Sequence, residues 1–285
     1  MPQSPQSGTT GGHLLRHSSA ALPPQDSASR TRWVTDSKGR EYDIPVLVGG
    51  LAANSAVYKL GMGCELDQIK ETWIKALNNP IDPKEVPFDE APCHDLVYEG
   101  DDLLNGFGVD QIPVPISSPG WDNAPYFAAS HFITKDPTND IQNMGNYRAM
   151  VKAPNRVGFN PSIELRTGGY MHWEEWKKLG KPMPCAIVIG APPIVSFTAV
   201  QKVPEKYDEF QVSGGLCGKP LNVVRAKTVD LMVPAEAEIV IEGYISTELL
   251  EPEAPFGESH GHVNLQEYNG FMDVTAVTRR KDAVM

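Results

Sequence analysis

Eight residues late in the chain, Glu251-Pro-Glu-Ala-Pro-Phe-Gly-Glu258, carry three carboxylates, two prolines and a glycine, and His260 and His262 follow at once. Pro252 and Pro255 fix φ and remove backbone donors, which predicts a stiff loop that continues neither a helix nor a strand ladder. Such a loop suits acid–base work: of Glu253 and Glu258, held apart, one can give a proton while the other stays charged. The same composition also suits an acidic surface turn, because loops are often acidic.

Other groups could act with these acids. Arg148 lies in Asn143-Met-Gly-Asn-Tyr-Arg-Ala-Met-Val151, a polar run entering a strand. A guanidinium there can grip a carboxylate through two parallel bonds, or simply face solvent. Asn143, His172 and Glu209 offer an amide oxygen, an imidazole and a carboxylate, a mixed set that suits Mn²⁺ or Mg²⁺ better than zinc. Spacing does not single out this triplet, and His94, His131, His260 and His262 are equally eligible by type. His260 and His262, two apart, fall on one face of a strand, as a metal pair or as a solvated or core pair. Ser213-Gly-Gly-Leu-Cys-Gly218 lacks the order of the nucleotide motifs and reads as a plain turn. No Gly-x-Ser-x-Gly elbow is present, so a serine hydrolase is not indicated.

Composition bounds the class. The 285 residues can bury a sizeable core, and 25 prolines with 25 glycines predict many turns and short elements. A formal net charge of -11 argues against a general nucleic-acid surface, while leaving room for an anion held by a local arginine or metal. Cys64, Cys93, Cys185 and Cys217 form no Cys-x-x-Cys pair and read as reduced thiols of an intracellular protein. The longest apolar run, 185–200, is broken by Gly190, Pro192 and Pro193, so no membrane span is expected.

The positioning elements follow from periodicity. Residues 1–40, rich in Ser, Gln, Pro, Thr and Gly, read as a disordered tail, with Arg16, Arg30 and Arg32 giving it a weak likeness to a mitochondrial transit peptide. Residues 44–51 read as a buried strand ending in a glycine turn, and 65–78 as an amphipathic helix with Trp73 inside. Short strands are expected at 94–98 and 127–134, and a buried one in 181–193. The segments 221–226, 228–233, 237–245, 260–268 and 271–278 read as closely spaced strands of a barrel or sandwich.

Several motifs in one order then resemble the UbiD family of decarboxylases, which use prenylated FMN. They are Ile44-Pro-Val-Leu-Val-Gly-Gly-Leu51, Pro92-Cys-His-Asp95, Phe132-Ile-Thr-Lys-Asp-Pro137, Asn143-x-Gly-x-Tyr-Arg148, Pro184-Cys-Ala-Ile-Val-Ile-Gly190 with Pro193, Glu209 ahead of Ser213-Gly-Gly-Leu-x-Gly-x-Pro220, and Glu253-Ala-Pro-Phe-Gly-Glu258. The resemblance implies an α+β fold: part of a small α/β domain over residues 41–120, then a flavin-binding split β-barrel over 121–285. It implies non-oxidative, reversible decarboxylation of an aromatic or α,β-unsaturated acid. Arg148, Glu253 and Glu258 match the catalytic set, with Glu258 as proton donor. Asn143, His172 and Glu209 match the ligands of a divalent metal, Mn²⁺ or Mg²⁺ with K⁺ as a further ion. Asn143, Met144, Gly145, Asn146, Tyr147, Arg148, Met171, His172 and Glu209 would line the cofactor.

The resemblance further implies a cytoplasmic homo-oligomer in full-length form, supplied by a flavin prenyltransferase and without nucleic-acid or membrane partners. Family members carry a further α/β domain after the point where this chain stops at Met285, so a truncated or split subunit is expected. Two other readings stay open: a catalytically silent cofactor-binding or subunit module, and an FMN-dependent reductase, since split barrels commonly bind FMN.

Overall fold

Ten antiparallel strands make the main sheet of the computed structural model, which describes residues 16–17, 30–36, 38–116, 118, 120–162, 165–203, 207–258, 260–265 and 267–285. They are β1 (Leu96–Glu99), β2 (Tyr126–Phe127), β3 (Ser130–Lys135), β4 (Gln142–Asn146), β5 (Ala149–Ala153), β6 (Arg156–Phe159), β7 (Met183–Ile189), β8 (Ile239–Ile245), β9 (Glu251–Glu253) and β10 (Glu267–Arg279). Neighbours run β2-β5-β6-β10-β8-β7-β3-β4, with β9 and β1 both pairing to the long β10. The chain itself bridges the two ends of this path. β2 leads directly into β3, and β4 leads through Tyr147 and Arg148 into β5. The sheet therefore coils into a split barrel. Phe132 of β3 touches Phe159 of β6 at 5.6 Å between ring centroids, and Tyr147 completes the trio at 5.5 and 5.9 Å. Arg148 stands at the seam.

All seven residues of β7 are buried, as a strand covered on both faces requires. Met183, Cys185, Ile187 and Ile189 point into the barrel with Ile239, Ile241 and Met272. Ala186 and Val188 point outward to a second apolar layer with Phe210, Val223 and Val233. The register of β8 against β10 shifts between Glu242 and Gly243. A Cβ at Gly243 would lie 2.1 Å from the Asp273 carbonyl oxygen, so the bulge needs glycine.

Among the described residues five α-helices flank the barrel: α1 (Ser55–Met62), α2 (Ile69–Asn78), α3 (Gly168–Lys178), α4 (Pro193–Ala199) and α5 (Glu209–Cys217). A third apolar cluster joins Met62, Ala76, Ile194, Phe197, Val212 and Leu216, with Trp73 packed against it. The turn expected at 213–218 is instead the second half of α5. Asp208 and Gln211 form its capping box, and Gly218 closes it at φ 68°. Its inner glycines serve close approach: a Cβ at Gly215 would lie 2.9 Å from the carbonyl oxygens of Ala76 and Asn79.

The proline-bearing stretch also differs from expectation. Glu251, Pro252 and Glu253 pair with Asn269, Tyr268 and Glu267 of β10, and Phe256–Gly257 pair with Val263–Asn264. A sheet edge tolerates a proline whose missing donor faces away from the ladder. The strand expected at 44–51 shortens to Val46–Val48, with Leu47 and Val48 exposed. The strand expected at 260–268 divides between Val263–Asn264 and the start of the thirteen-residue β10, to which 271–278 also belong. Of the tail expected over 1–40, residues 1–15 and 18–29 lie outside the described residues, whereas Arg30–Arg32 pair with Val46–Val48 and Val34 is buried. Residues ahead of 120 pair with strands that follow it: β1 pairs with β10, and Lys84–Glu85 run parallel to Asn222–Val223. No helix among the described residues is long and apolar enough to cross a membrane.

Candidate active site

The seam brings Arg148, Glu253 and Glu258 together. Arg148 Nε and Nη2 donate to Glu253 Oε1 and Oε2 at 3.0 and 2.8 Å, and Nη1 donates to Glu258 Oε1 at 2.5 Å. Burial tends to discharge the guanidinium, but the hydrogen bonds and charge of Glu253, then the charge of Glu258, outweigh it and hold its pKa above the ordinary value. The Phe256 ring lies 5.0 Å from the guanidinium carbon.

The two acids are held differently. Glu253 on β9 is almost wholly buried, and its Oε2 accepts from Asn160 Nδ2 and Asn269 Nδ2, both at 2.8 Å, as well as from Arg148. Glu258 is a quarter exposed, and its Oε1 is shared by Arg148 and Asn264 Nδ2 at 2.7 Å. The donors fix the Glu253 carboxylate in place, whereas the second acid faces open space. That space is a cavity of about 610 Å³, walled by Asn146, Tyr147, Arg148, Asn160, Phe256 and Glu258.

Neighbouring groups set the walls. Asp122, buried, accepts from the Gly257 amide at 2.7 Å with Oδ1 and from the Ser118 amide at 2.9 Å with Oδ2. It ties the peptide just before Glu258 to the loop ahead of β2. Tyr126 donates to the Ala254 carbonyl at 2.7 Å. Asn146 is oriented from behind by His131, whose other ring nitrogen meets Ser196 Oγ at 2.8 Å. Burial pushes the His131 pKa down to about 4, so the ring is neutral at physiological pH. With Nδ1 facing an amide oxygen it donates there, and Nε2 accepts the serine proton.

Asn143, His172 and Glu209 also converge, on the start of β4. Asn143 sits opposite Thr134 in the β3–β4 ladder, and Thr134 Oγ1 meets His172 Nδ1 at 2.9 Å. Glu209 Oε2 accepts from the Met144 amide at 2.7 Å. The Asn143 Nδ2 end of its amide is buried and unpaired among the described residues, a donor left for a ligand's acceptor oxygen. One observation fits a cation here. The Glu209 carboxylate is buried, with its pKa pushed up to about 7 by desolvation, and no lysine or arginine pairs with it among the described residues. Burial also lowers the His172 pKa, which favours the neutral, ligating imidazole, with Nε2 left for a ligand. Of the four histidines equal to it by type, His131 is spent on Asn146 and Ser196, His94 stacks on Phe88 at 4.0 Å, and His260 and His262 lie beyond Glu258. Among the described residues no group of three or more His, Cys, Asp and Glu side chains is placed to hold a metal; the triplet has only two of those types, its third member being an amide.

The remaining residues expected at the cofactor take different places. Tyr147 and Asn146 line the cavity. Gly145 lies under the Tyr147 ring, where a Cβ would meet its hydroxyl at 2.3 Å. The Met144 side chain packs in the outer apolar layer, and Met171 is exposed on α3. Asp122, Asn160, Asn264 and Asn269 were not legible beforehand, because single polar residues in turns and strands carry no local signature.

The family model for the UbiD 3-octaprenyl-4-hydroxybenzoate carboxy-lyase Rift-related domain matches residues 84–285. The chain belongs to the UbiD family. The UbiD-class enzyme HmfF from Pelotomaculum thermopropionicum, solved in complex with FMN, is 29% identical, with a TM-score of 0.78 over 85% of this chain and 53% of its own. An evolved dimeric form of HmfF in complex with prFMN is 29% identical, with a TM-score of 0.77 over 85% and 55%. Vanillic acid decarboxylase from Sedimentibacter hydroxybenzoicus, in closed form, is 27% identical, with a TM-score of 0.76 over 86% and 52%. This UbiD chain spans about half the length of each of these structures.

Proposed function

We propose that this chain is the flavin-binding part of a UbiD decarboxylase that removes CO₂, non-oxidatively and reversibly, from an aromatic or α,β-unsaturated carboxylic acid. The observation that carries the reading is the unequal treatment of two acids by one arginine on a cavity wall. Prenylated FMN, when bound, would supply the electron sink that loss of CO₂ requires, a role no side chain here can fill. Asn143, His172 and Glu209 would hold a divalent ion, Mn²⁺ or Mg²⁺, and its charge would seat the flavin phosphate in an acidic protein. A flavin prenyltransferase is the implied supplier of the cofactor.

The side chains divide the work as follows. Glu253, pinned by Asn160 and Asn269, keeps Arg148 oriented. Arg148 Nη1 is the guanidinium nitrogen nearest the cavity's acid, and a substrate carboxylate takes it in place of Glu258. Glu258, released from the guanidinium, takes a proton from solvent at the cavity wall and delivers it to the carbon that has lost CO₂. In the carboxylating direction the same oxygen takes the proton back. Phe256 and Tyr147 exclude water from that face.

The test is to co-express the chain with a flavin prenyltransferase and record the absorbance and mass of the bound cofactor and the release of CO₂ from a panel of aromatic and unsaturated acids. Prenylated FMN with CO₂ release supports the reading. Plain FMN that NAD(P)H reduces points to a reductase and overturns it.

A further inference from the structure

His260 and His262 belong to neither the acid pair nor the Asn143–His172–Glu209 cluster. They sit beyond Glu258, on the turn that closes the small hairpin Phe256–Gly257 and Val263–Asn264. The turn is drawn together by two backbone bonds. The Glu258 amide donates to the His262 carbonyl at 2.8 Å, and the Gly261 amide donates to the Glu258 carbonyl at 3.0 Å. Gly261 has φ 89°, a left-handed conformation that glycine takes without steric strain. Both histidines are exposed. Their ring centroids are 5.2 Å apart, with planes at 48°.

That separation has a simple meaning for a shared ion. A zinc–nitrogen bond of about 2.0 Å plus an imidazole ring radius of about 1.2 Å places each centroid about 3.2 Å from the metal. At the tetrahedral angle the two centroids then lie about 5.2 Å apart, whereas the right angle of an octahedral ion would bring them to about 4.5 Å. Ring pairs without a metal also lie about 4.5–7 Å apart, so the separation fits a shared ion without requiring one. The donors are borderline nitrogen ligands, which select zinc-class ions over Mn²⁺ or Mg²⁺.

We propose that the hairpin tip is a metal site, with His260 and His262 giving two imidazole nitrogens to a four-coordinate divalent ion such as Zn²⁺ and water filling the other positions. The ion ties together a turn from which both Glu258 and its partner Asn264 hang, so its occupancy restrains the acid on the cavity wall. The site differs from the Asn143, His172 and Glu209 cluster in place, in donors and in preferred ion.

The experiment is a Zn²⁺ titration of the purified chain against a chromophoric chelator, in saturating Mg²⁺, with Co²⁺ as a spectroscopic substitute. Wild-type protein should bind one Zn²⁺ with an affinity that falls about tenfold or more in H260N and in H262N. H172N should leave that affinity unchanged. Co²⁺ should show the intense visible bands of four-coordinate geometry, and Zn²⁺ should slow amide exchange at Glu258 and Gly261 in wild type but not in H260N. Equal Zn²⁺ affinity in the H260N/H262N double variant, or loss of binding in H172N alone, would overturn the proposal. Binding is the readout, so the result stands whatever becomes of the decarboxylase reading.

Discussion

Arg148 and Glu253 are 105 residues apart in sequence and face each other through two parallel N–H···O bonds of 3.0 and 2.8 Å. Arg148 comes from the bend between β4 and β5, where the barrel's two ends meet. Glu253 ends the edge strand β9. The pair therefore spans the seam and joins the fold to the candidate chemistry.

Removing the arginine should show this. Arg148→Ala leaves Glu253 as a buried charge with only amide donors, which costs about 3–5 kcal/mol. Arg148→Lys keeps a charge but loses the two-point grip, and should fall between. Denaturant unfolding of the three proteins measures both, and an Arg148→Ala protein as stable as wild type would count against the seam's structural role.

Glu258 should behave oppositely to Glu253. Glu258→Gln is expected to abolish CO₂ release while leaving flavin content and melting temperature near wild type, because the side chain is part-exposed and has few partners. Glu253→Gln should lower stability as well as activity, because it halves the charge complement of a buried guanidinium. Turnover unchanged in Glu258→Gln would exclude the proton-donor role.

Asp122→Ala should loosen the acid's hairpin from behind. The change leaves the amides of Gly257 and Ser118 without their acceptor, at about 1–3 kcal/mol. Hydrogen exchange should rise at Gly257, and kcat should drop more than KM rises. Unaltered exchange at Gly257 would show that the carboxylate is not the tie.

Glu209 links stability to pH. Its folded pKa, about 7, lies above the ordinary value of 4.5 because burial penalises the charge. A raised acid contributes stability that is fully present below pH 4.5 and lost as pH rises through 7, roughly 3 kcal/mol in all. In metal-free protein the melting temperature should fall across that window, and Glu209→Gln should flatten the fall. Adding Mn²⁺ at neutral pH should restore it, since a cation replaces the proton; calorimetry with and without chelator decides.

The glycines of α5 show one limit of sequence reading. Ser213-Gly-Gly reads locally as a turn, because glycine disfavours helix by about 1 kcal/mol. Tertiary contact reverses this: α2 approaches too closely for a Cβ at Gly215, where backbone carbonyl oxygens of Ala76 and Asn79 would stand 2.9 Å away. Gly215→Ala should therefore destabilise by about 1–3 kcal/mol, although alanine is the better helix former. A stabilised variant, read by thermal melting, would refute the close-packing account.

What the amino-acid order determined by itself was local or strongly patterned. The apolar run of β7 and the amphipathic α2 were readable because burial on both faces and helical period act within a few positions, and the motifs from Asn143 to Glu258 were readable through their resemblance to the UbiD family. The ladder pairing of Pro252 and the short exposed strand at Val46–Val48 were not, since each depends on which strand lies alongside. Nor were the asparagines that separate Glu253 from Glu258. Asn160, Asn264 and Asn269 come from three different strands or bends, and only closure of the sheet brings them to the same two carboxylates. Periodicity reports how one segment meets the core; the meeting of distant segments is decided by how the whole sheet coils, and the geometry around Arg148 follows from that closure.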